Sequence, residues 1–295
     1  MSPETALIFV RFAHFGAVAL LLGTVLFRRH AALGEVAASL APRLRRWERW
    51  AAALALASAV AWLLAETALA ADAWAGAFDP GLVHAILADT VFGNIWCGRL
   101  LLAGALAGLA WGAQGRAGGA LELGAAGLAF SLGWVGHGVM RSGYEGDLLA
   151  AVLGLHVLSA GAWAGALPAV ALTVSEAGRT FDLAAAAASL RRFSAAGHAA
   201  VAIAVVTGLV TAQTVLMAWT LDFSVPYQQL LAAKIGLVGL MIGIALVNGY
   251  WLAPKLSFNQ PRTQRQLAAL CGLELAVAVI VLALVAAFGN MAPMG

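Results

Sequence analysis

The chain has 295 residues, of which 62% are hydrophobic and only 11% are charged, and its formal net charge is +3. A soluble domain carries about 25% charged residues, so this composition, with a mean hydropathy of +0.89, excludes an ordinary soluble domain. The excess of positive charge would suggest a nucleic-acid partner in a soluble protein. Here the cations instead follow the predicted membrane topology, as described below.

Eight apolar stretches follow one another along the sequence. They cover residues 5–27, 50–71, 91–112, 119–140, 148–174, 194–218, 229–252 and 267–289. Each has about 20 residues or more, enough to cross a ~30 Å hydrocarbon core. The sequence therefore predicts an all-α polytopic membrane protein with eight transmembrane helices in a single transmembrane domain, 1–295. The first stretch has Arg11 and His14 in its middle and no basic segment before it, so we expect it to be a span rather than a cleaved signal peptide.

The cations of the loops lie almost entirely on one side of the predicted membrane. That side has Arg28, Arg29, Arg43, Arg45, Arg46, Arg49, Arg116, Arg179, Arg191, Arg192, Lys255, Arg262 and Arg265, and the other side has only Arg141. Because basic loops stay in the cytoplasm, both termini and the 72–90 and 141–147 segments are predicted to be periplasmic. The 72–90 segment contains Pro80 and apolar residues, and we expect a short amphipathic piece there on the outer surface.

Spans 1–4 and 5–8 share a pattern that predicts two copies of a four-helix unit, residues 1–143 and 144–295. The matched features, in chain order, are His14 with His156, Leu44-Arg45-Arg46 with Leu190-Arg191-Arg192, Arg99 with Lys234, Leu121-Glu122-Leu123 with Leu273-Glu274-Leu275, and His137 with Asn290. Since each unit has an even number of spans, the copies would have the same orientation, related by an axis along the membrane normal.

Three histidines are predicted to lie in the outer half of the membrane. His14 and His156 are well inside their spans, and His137 is near the end of span 4. Ionisable groups inside the membrane are costly and mark functional sites. Met140 is three residues after His137 and shares its helical face. Imidazole suits copper, iron, nickel and zinc, and a thioether narrows the choice toward Cu(I). We therefore predict a copper site formed by His14, His137 and His156 with Met140 as a neighbour.

The remaining polar residues of the spans have mostly structural explanations. An ion pair such as Glu66 with Arg99 would lower the cost of burying both, and Arg11, one turn from His14, could repel or gate an ion. Glu122 and Glu274 are nearer the cytoplasm and could line an exit path. Of the two cysteines, Cys97 is predicted in the outer half of span 3 and Cys271 near the inner end of span 8, which excludes a disulfide between them.

Several motifs together resemble the copper resistance protein D (CopD) family of bacterial inner-membrane proteins. They are Gly136-His137, His156, Trp163-Ala164-Gly165-Ala166-Leu167, Arg192-Phe193-Ser194, Thr207-Gly208-Leu209, Tyr227, Leu230-Leu231, Lys234, Asn248 and Pro254-Lys255-Leu256. The family usually has glycine where this chain has Gln228 and Ala166, which affects helix packing. The resemblance implies eight transmembrane helices and copper transport from periplasm to cytoplasm, often beside a periplasmic copper-binding partner (CopC). We expect no such soluble domain to be fused to this chain.

Two other classes of function remain open at this stage. A bis-histidine haem b site, with His137 and His156 or His14 as axial ligands, would make the protein a membrane cytochrome. A copper-binding assembly or sensor protein would bind the ion without moving it. We expect no enzymatic activity, and the sequence has no Gly-x-x-x-x-Gly-Lys motif, so ATP-driven pumping by this chain is not expected.

The charge bias of the loops yields a first testable prediction. Alkaline phosphatase fused after Gly295 should be active, because that enzyme matures only in the periplasm, where the C-terminus is predicted to lie. A fluorescent reporter that matures only in the cytoplasm should stay dark at the same position. The reverse pattern of the two reporters would overturn the predicted orientation.

Overall fold

The computed structural model describes residues 1–112, 117–135, 143–217, 220–256, 261–289 and 291–293. Over these residues the chain is a bundle of α-helices joined by short turns. The helices are α1 (Pro3–Leu26), α2 (Gly34–Ala70), α3 (Pro80–Asp89), α4 (Val91–Gly112), α5 (Gly118–Phe130), α6 (Tyr144–Ala164), α7 (Leu167–Glu176), α8 (Leu183–Leu216), α9 (Pro226–Val247), α10 (Ala253–Leu256) and α11 (Pro261–Phe288). The all-α fold predicted from the sequence is confirmed.

Within the described ranges, 7 helical segments are long and apolar enough to cross a membrane. They coincide with every predicted span except the fourth. That span, 119–140, is described only to residue 135, as α5 followed by a 3₁₀ turn from Ser131 to Trp134. The count of eight transmembrane helices therefore stays a prediction, whereas a polytopic helical membrane protein is what the structure shows.

The 72–90 segment begins with a 3₁₀ turn over Trp74–Phe78 and continues as α3. Pro80 starts α3, and the Asp79 carboxylate caps it by accepting hydrogen bonds from the backbone N–H groups of Gly81 at 2.8 Å and Leu82 at 3.3 Å. The predicted short helical piece is therefore present. It packs against the start of α4, where Gly93 lies against the backbone of Ile86 and Leu87.

Helix α1 lies at the centre of the bundle and packs against α2, α5, α6 and α11. Its contact with α6 depends on glycine. A Cβ at Gly23 would overlap the backbone of Gly165, and one at Gly165 would overlap the carbonyl of Ala19. Close approach through small residues is the usual way that membrane helices associate. Gly165 also ends α6, and α7 restarts two residues later with Pro168 in its first turn, so predicted span 5 is two helices.

Helices α2 and α8 extend well beyond the predicted spans at one end of the bundle, which we call the inner end because the basic loop residues are there. α2 has 37 residues and α8 has 34, which correspond to ~50 Å of helix each. Their extra turns bury Val36, Leu40 and Leu190 in a cluster with Val174 of α7 and Leu267 of α11. These helices therefore begin before the apolar stretches 50–71 and 194–218, because their first turns are basic and amphipathic.

Ion pairs join the helices at the inner end. Arg28 makes a bidentate pair with Glu48, with Nε to Oε1 at 2.6 Å and Nη2 to Oε2 at 3.1 Å. Glu122 accepts from Arg29 Nε at 2.5 Å and from His30 Nε2 at 2.9 Å. Bidentate arginine–carboxylate geometry gives the stronger and more specific form of such a pair. Glu122 is therefore an anchor between α1 and α5, a role that the sequence did not indicate.

The α1–α6 contact predicts that alanine substitution affects stability at one glycine and not at another. Gly165→Ala should lower the stability of the purified protein by ~1–3 kcal/mol, the usual cost of overpacking. Gly108→Ala is the matched control, because a Cβ at Gly108 meets no atom within 4 Å, and it should leave stability unchanged. Thermal unfolding in detergent measures both variants, and equal melting temperatures would contradict the packing.

Candidate functional site

His14 is fully buried, and both of its ring nitrogens are hydrogen-bonded. Nδ1 lies 3.2 Å from the carbonyl oxygen of Ala55 and 3.1 Å from Ser58 Oγ on α2. Nε2 lies 2.7 Å from Arg99 Nη2 on α4. A guanidinium only donates and a carbonyl only accepts. His14 is therefore neutral, with its proton on Nδ1 and its Nε2 lone pair engaged by Arg99.

Arg99 is held in place by several acceptors. It is 2% exposed, and its Nη1 donates to the carbonyl oxygen of Leu128 at 2.8 Å and to Ser131 Oγ. The residues that accept from Arg99 therefore come from α1 and from the end of α5. Since carbonyl, hydroxyl and imidazole acceptors carry no charge, the positive charge at this point in the membrane is not neutralised by them.

Aromatic rings surround the His14–Arg99 pair. The His14 ring centroid lies 5.6 Å from that of Trp62, edge to face, and 5.8 Å from that of Trp96. The Arg99 guanidinium lies 5.1 Å from the Trp96 ring centroid, within the range of a cation–π interaction. The Trp96 indole N–H donates to the carbonyl oxygen of Ala59 at 3.0 Å. Indole faces therefore supply part of the electrostatic stabilisation that the charge of Arg99 needs.

The predicted pairing of Glu66 with Arg99 differs from what the structure shows. Glu66 Oε1 accepts from Trp62 Nε1 at 3.0 Å, whereas Arg99 bonds to His14, Leu128 and Ser131. Arg11 also lies near this region, with its guanidinium 5.4 Å from the Trp62 ring centroid. A cation in contact with His14 is thus Arg99, on a different helix. The spacing of Arg11 and His14 along one helix could not reveal this, because the contact joins two helices.

His156 on α6, like His14, bonds to a backbone carbonyl, but the surroundings of its second ring nitrogen, Nε2, are different. Its Nδ1 lies 2.8 Å from the carbonyl oxygen of Ala204 on α8, which places the proton on Nδ1 and the lone pair on Nε2. Gly208 lies against the ring, because a Cβ there would be 3.0 Å from Cε1. The ammonium of Lys234 on α9 is near enough to act on the ring electrostatically. His156 is only partly buried, so its Nε2 lone pair is more accessible than that of His14.

The predicted copper site is only partly covered by the structure. His137 and Met140 lie outside the described residues. His14 bonds to α2 and α4, whereas His156 bonds to α8, so each is held by its own half of the chain. Within the described ranges no group of three or more His, Cys, Asp or Glu side chains is placed to hold a metal ion. A site that contains both histidines would therefore need residues of 136–142 or a rearrangement.

A cavity of about 200 Å³ lies deeper in the bundle, toward the inner end. We call it the inner cavity. Most of its wall is apolar, including Trp163, Phe193 and Ile242, but one corner is polar and contains Asn248, Cys271 and Glu274. Asn248 Nδ2 lies 3.4 Å from Glu274 Oε2 and 3.9 Å from Cys271 Sγ. The sequence pointed to Glu274 as lining an exit path, and the structure places it in this wall.

Comparison with known protein families matches both halves of the chain. Residues 1–147 match the family model "Copper resistance protein D-like, N-terminal domain", and residues 187–288 match the model "Copper resistance protein D". The chain belongs to the copper resistance protein D family. The resemblance drawn from the sequence motifs is thereby confirmed.

Two relatives extend this assignment. The chain is 28% identical over 285 residues to "Inner membrane protein YebZ" of Escherichia coli (strain K12), a match covering 96% of this chain and 97% of that protein. It is 31% identical over 187 residues to "Copper resistance protein D" of Pseudomonas syringae pv. tomato, covering 58% of this chain and 57% of that protein. No solved structure matches significantly. Apolar helices and relatives together identify a multi-pass inner-membrane protein of the CopD family.

The sequence did not indicate the residues that hold the two histidines. Ala55 and Ala204 contribute only carbonyl oxygens, so their side chains have no signature. Spacing carried a usable signal elsewhere. Ser58 and Trp62 are four residues apart on α2, and Trp96 is three residues before Arg99 on α4, so each pair shares a helical face. These spacings could have indicated Trp62 and Trp96 as neighbours of the buried cation Arg99.

The contact between His14 and Arg99 can be measured by a double-mutant cycle in this CopD-family chain. His14→Ala leaves a buried guanidinium donor unpaired, and Arg99→Met removes that donor. The double variant should therefore be less destabilised than the sum of the single variants, with a coupling of ~0.5–3 kcal/mol. Unfolding in detergent gives the three stability changes.

The control for this cycle pairs Arg99→Met with His198→Ala, at the inner end of α8. His198 bonds to the carbonyl oxygen of Ser194 and, among the residues that the structure describes, shares no hydrogen-bond partner with Arg99. Those two substitutions should add within ~0.5 kcal/mol. Additive effects of His14→Ala and Arg99→Met would show that the hydrogen bond does not form.

Proposed function

We propose that this CopD-family protein transports copper across the inner membrane, from periplasm to cytoplasm, through a histidine site in the outer half of the bundle. The proposal includes both termini in the periplasm, Cu(I) as the ion, and delivery by a periplasmic CopC-like protein. The protein would act as a transporter without catalysing a reaction. The observation that carries the proposal is the availability of His156 Nε2, in a family whose members are described by copper resistance.

His156 is the main ligand in this proposal. Its Nδ1–H bond to the carbonyl oxygen of Ala204 fixes the tautomer and orients the ring, which is the usual arrangement of a ligating histidine. A neutral imidazole is a ligand that can be buried without a counter-charge. His137 and Met140 are proposed as further ligands on the basis of the sequence. Lys234 near the ring would oppose a cation and so keep the affinity low enough for release, as conduction requires.

His14 would join the site only after its bond to Arg99 breaks. With Nε2 occupied by a guanidinium and Nδ1 by the carbonyl oxygen of Ala55, His14 has no free nitrogen for copper or for haem iron in this arrangement. The proposal therefore treats the His14–Arg99 pair as a closed state, in which a fixed positive charge repels a second cation. Movement of Arg99 away from Nε2 would open the fourth-ligand position.

The two histidine centres also support the proposed internal repeat of 1–143 and 144–295. Ser58 Oγ donates to the carbonyl oxygens of Leu54 and Ala55, and Thr207 Oγ1 donates to those of Ile203 and Ala204. In each half, the carbonyl that accepts from the histidine is the one three residues before this hydroxyl. A cation from the next predicted span, Arg99 or Lys234, completes each centre. The proposal is that both centres descend from one.

The test is uptake of isotope-labelled Cu(I) by proteoliposomes that contain the purified chain. His156→Ala should reduce uptake at least about tenfold, because ligand loss and loss of ligand support cost 10–100-fold in metal affinity. His84→Ala is the matched control, since His84 is exposed on α3, and it should transport like the unmodified chain. An optical spectrum of each preparation belongs to the same experiment.

Each outcome separates the candidate functions. Copper that binds with His156 dependence but does not enter the vesicles would identify an assembly or sensor protein. A Soret band that is lost in His156→Ala would identify a haem protein. Equal uptake by the His156→Ala and His84→Ala variants would remove His156 from the transport path.

A further inference from the structure

The inner cavity lies directly below His156 on the same helices. Trp163 is seven residues after His156 on α6, which is ~10 Å of helix, and it lines the cavity. On α8 the cavity is lined by Val201 and His198, which come before Ala204, the partner of His156. An ion that left His156 toward the inner end would therefore meet this cavity next.

The polar corner of the cavity contains a buried carboxylate with incomplete hydrogen bonding. Glu274 is 3% exposed, and no described residue forms a hydrogen bond with its Oε1. Its Oε2 has a long contact of 3.4 Å with Asn248 Nδ2. Among the described residues no Arg, Lys or His forms an ion pair with it, although four such pairs are present at the inner end. A carboxylate buried in this way is stable only if a proton or a cation neutralises it.

A second unsatisfied oxygen and a thiol lie at the same corner. Asn248 is 9% exposed, and its Oδ1 also lacks a hydrogen-bond partner within the described part of the chain. Cys271 is 3% exposed and lies three residues before Glu274, on the same face of α11. Carboxylate oxygen, amide oxygen and sulfur are all cation ligands, and the thiolate is the one that selects Cu(I) among them.

We propose that Cys271 and Glu274, with Asn248, form a second Cu(I)-binding site in the wall of the inner cavity. The site rests on the proposed transport function and gives the ion a binding position between His156 and the cytoplasm. Cys271 binds as the thiolate, and its proton passes to the Glu274 carboxylate, which thereby becomes neutral. The thiolate and Cu⁺ then cancel in charge, and the carbonyl oxygens of the protonated Glu274 and of Asn248 complete the coordination.

The chain has two cysteines, which gives the test a matched control. Cys97 is exposed on α4 and Cys271 is buried, so Cys97→Ser and Cys271→Ser remove the same thiol group from different places. The full-length protein is purified in detergent and titrated anaerobically with Cu(I) alone against a chromophoric chelator. Copper stoichiometry, the ultraviolet thiolate-to-copper absorption and the X-ray absorption signal of sulfur ligation are measured.

Cys97→Ser should keep the copper stoichiometry and the thiolate signal of the unmodified chain. Cys271→Ser should lose one equivalent of copper together with that signal. Glu274→Gln, which keeps the side-chain shape, should keep the thiolate signal but weaken this equivalent by about tenfold or more. This variant and the spectra of the Cys97→Ser protein decide the question even if Cys271→Ser does not fold. Identical spectra of the two serine variants, or no thiolate signal in the Cys97→Ser protein, would overturn the site.

His156→Ala separates this inference from the transport proposal. It should remove copper from the histidine site and leave the Cys271-dependent equivalent in place. If His156→Ala leaves uptake unchanged while Cys271→Ser loses its equivalent, the histidine site fails and the inner site stands. If His156→Ala abolishes uptake and Cys271→Ser binds copper like Cys97→Ser, the transport proposal stands and the inner site fails.

Discussion

The hydrogen bond from a histidine Nδ1 to a carbonyl oxygen on the adjacent helix is the constraint on which the outer part of this bundle depends. In lipid a backbone carbonyl that already belongs to a helix can accept a second hydrogen bond, and an imidazole that donates to it needs no solvent. His14 uses Ala55 in this way and His156 uses Ala204. The bond fixes both rings as neutral Nδ1–H tautomers, so the chemistry at each site depends on what reaches Nε2.

The group that approaches Nε2 differs between His14 and His156, and the chemistry open to each histidine differs accordingly. Arg99 occupies Nε2 of His14 at 2.7 Å, inside a wall of Trp62 and Trp96. Lys234 acts on His156 from a distance, and no described residue forms a hydrogen bond with His156 Nε2. Positive charge thus accompanies both histidines, whereas the inner cavity has a carboxylate, Glu274, and no ion pair to it among the described residues. A cation would therefore find increasing electrostatic attraction from the histidine level toward the inner end.

The sequence predicted the transmembrane fold well because apolar runs of this length have few alternatives in a chain with 11% charged residues. It failed at boundaries and at contacts between helices. Span 5 is broken between Ala164, where α6 ends, and Leu167, where α7 begins, and the uniform hydropathy of this stretch does not mark the break. Glu66 seemed the natural partner of Arg99 by charge, but Trp62 takes Glu66, and Arg99 turns to uncharged acceptors. Such choices depend on helix rotation, which composition does not specify.

An apolar cavity with one polar corner suits the passage of a soft cation. Apolar walls such as Trp163 and Ile242 offer no ligand, so an ion would not be held along them, and the low dielectric would make each polar group at the corner more effective. The proposed ligands Cys271, Glu274 and Asn248 are fewer than the four that close a structural metal site. Incomplete coordination by the protein leaves room for an incoming ligand to replace them. That property, together with the fixed positive charge beside His14 and His156, favours release over storage.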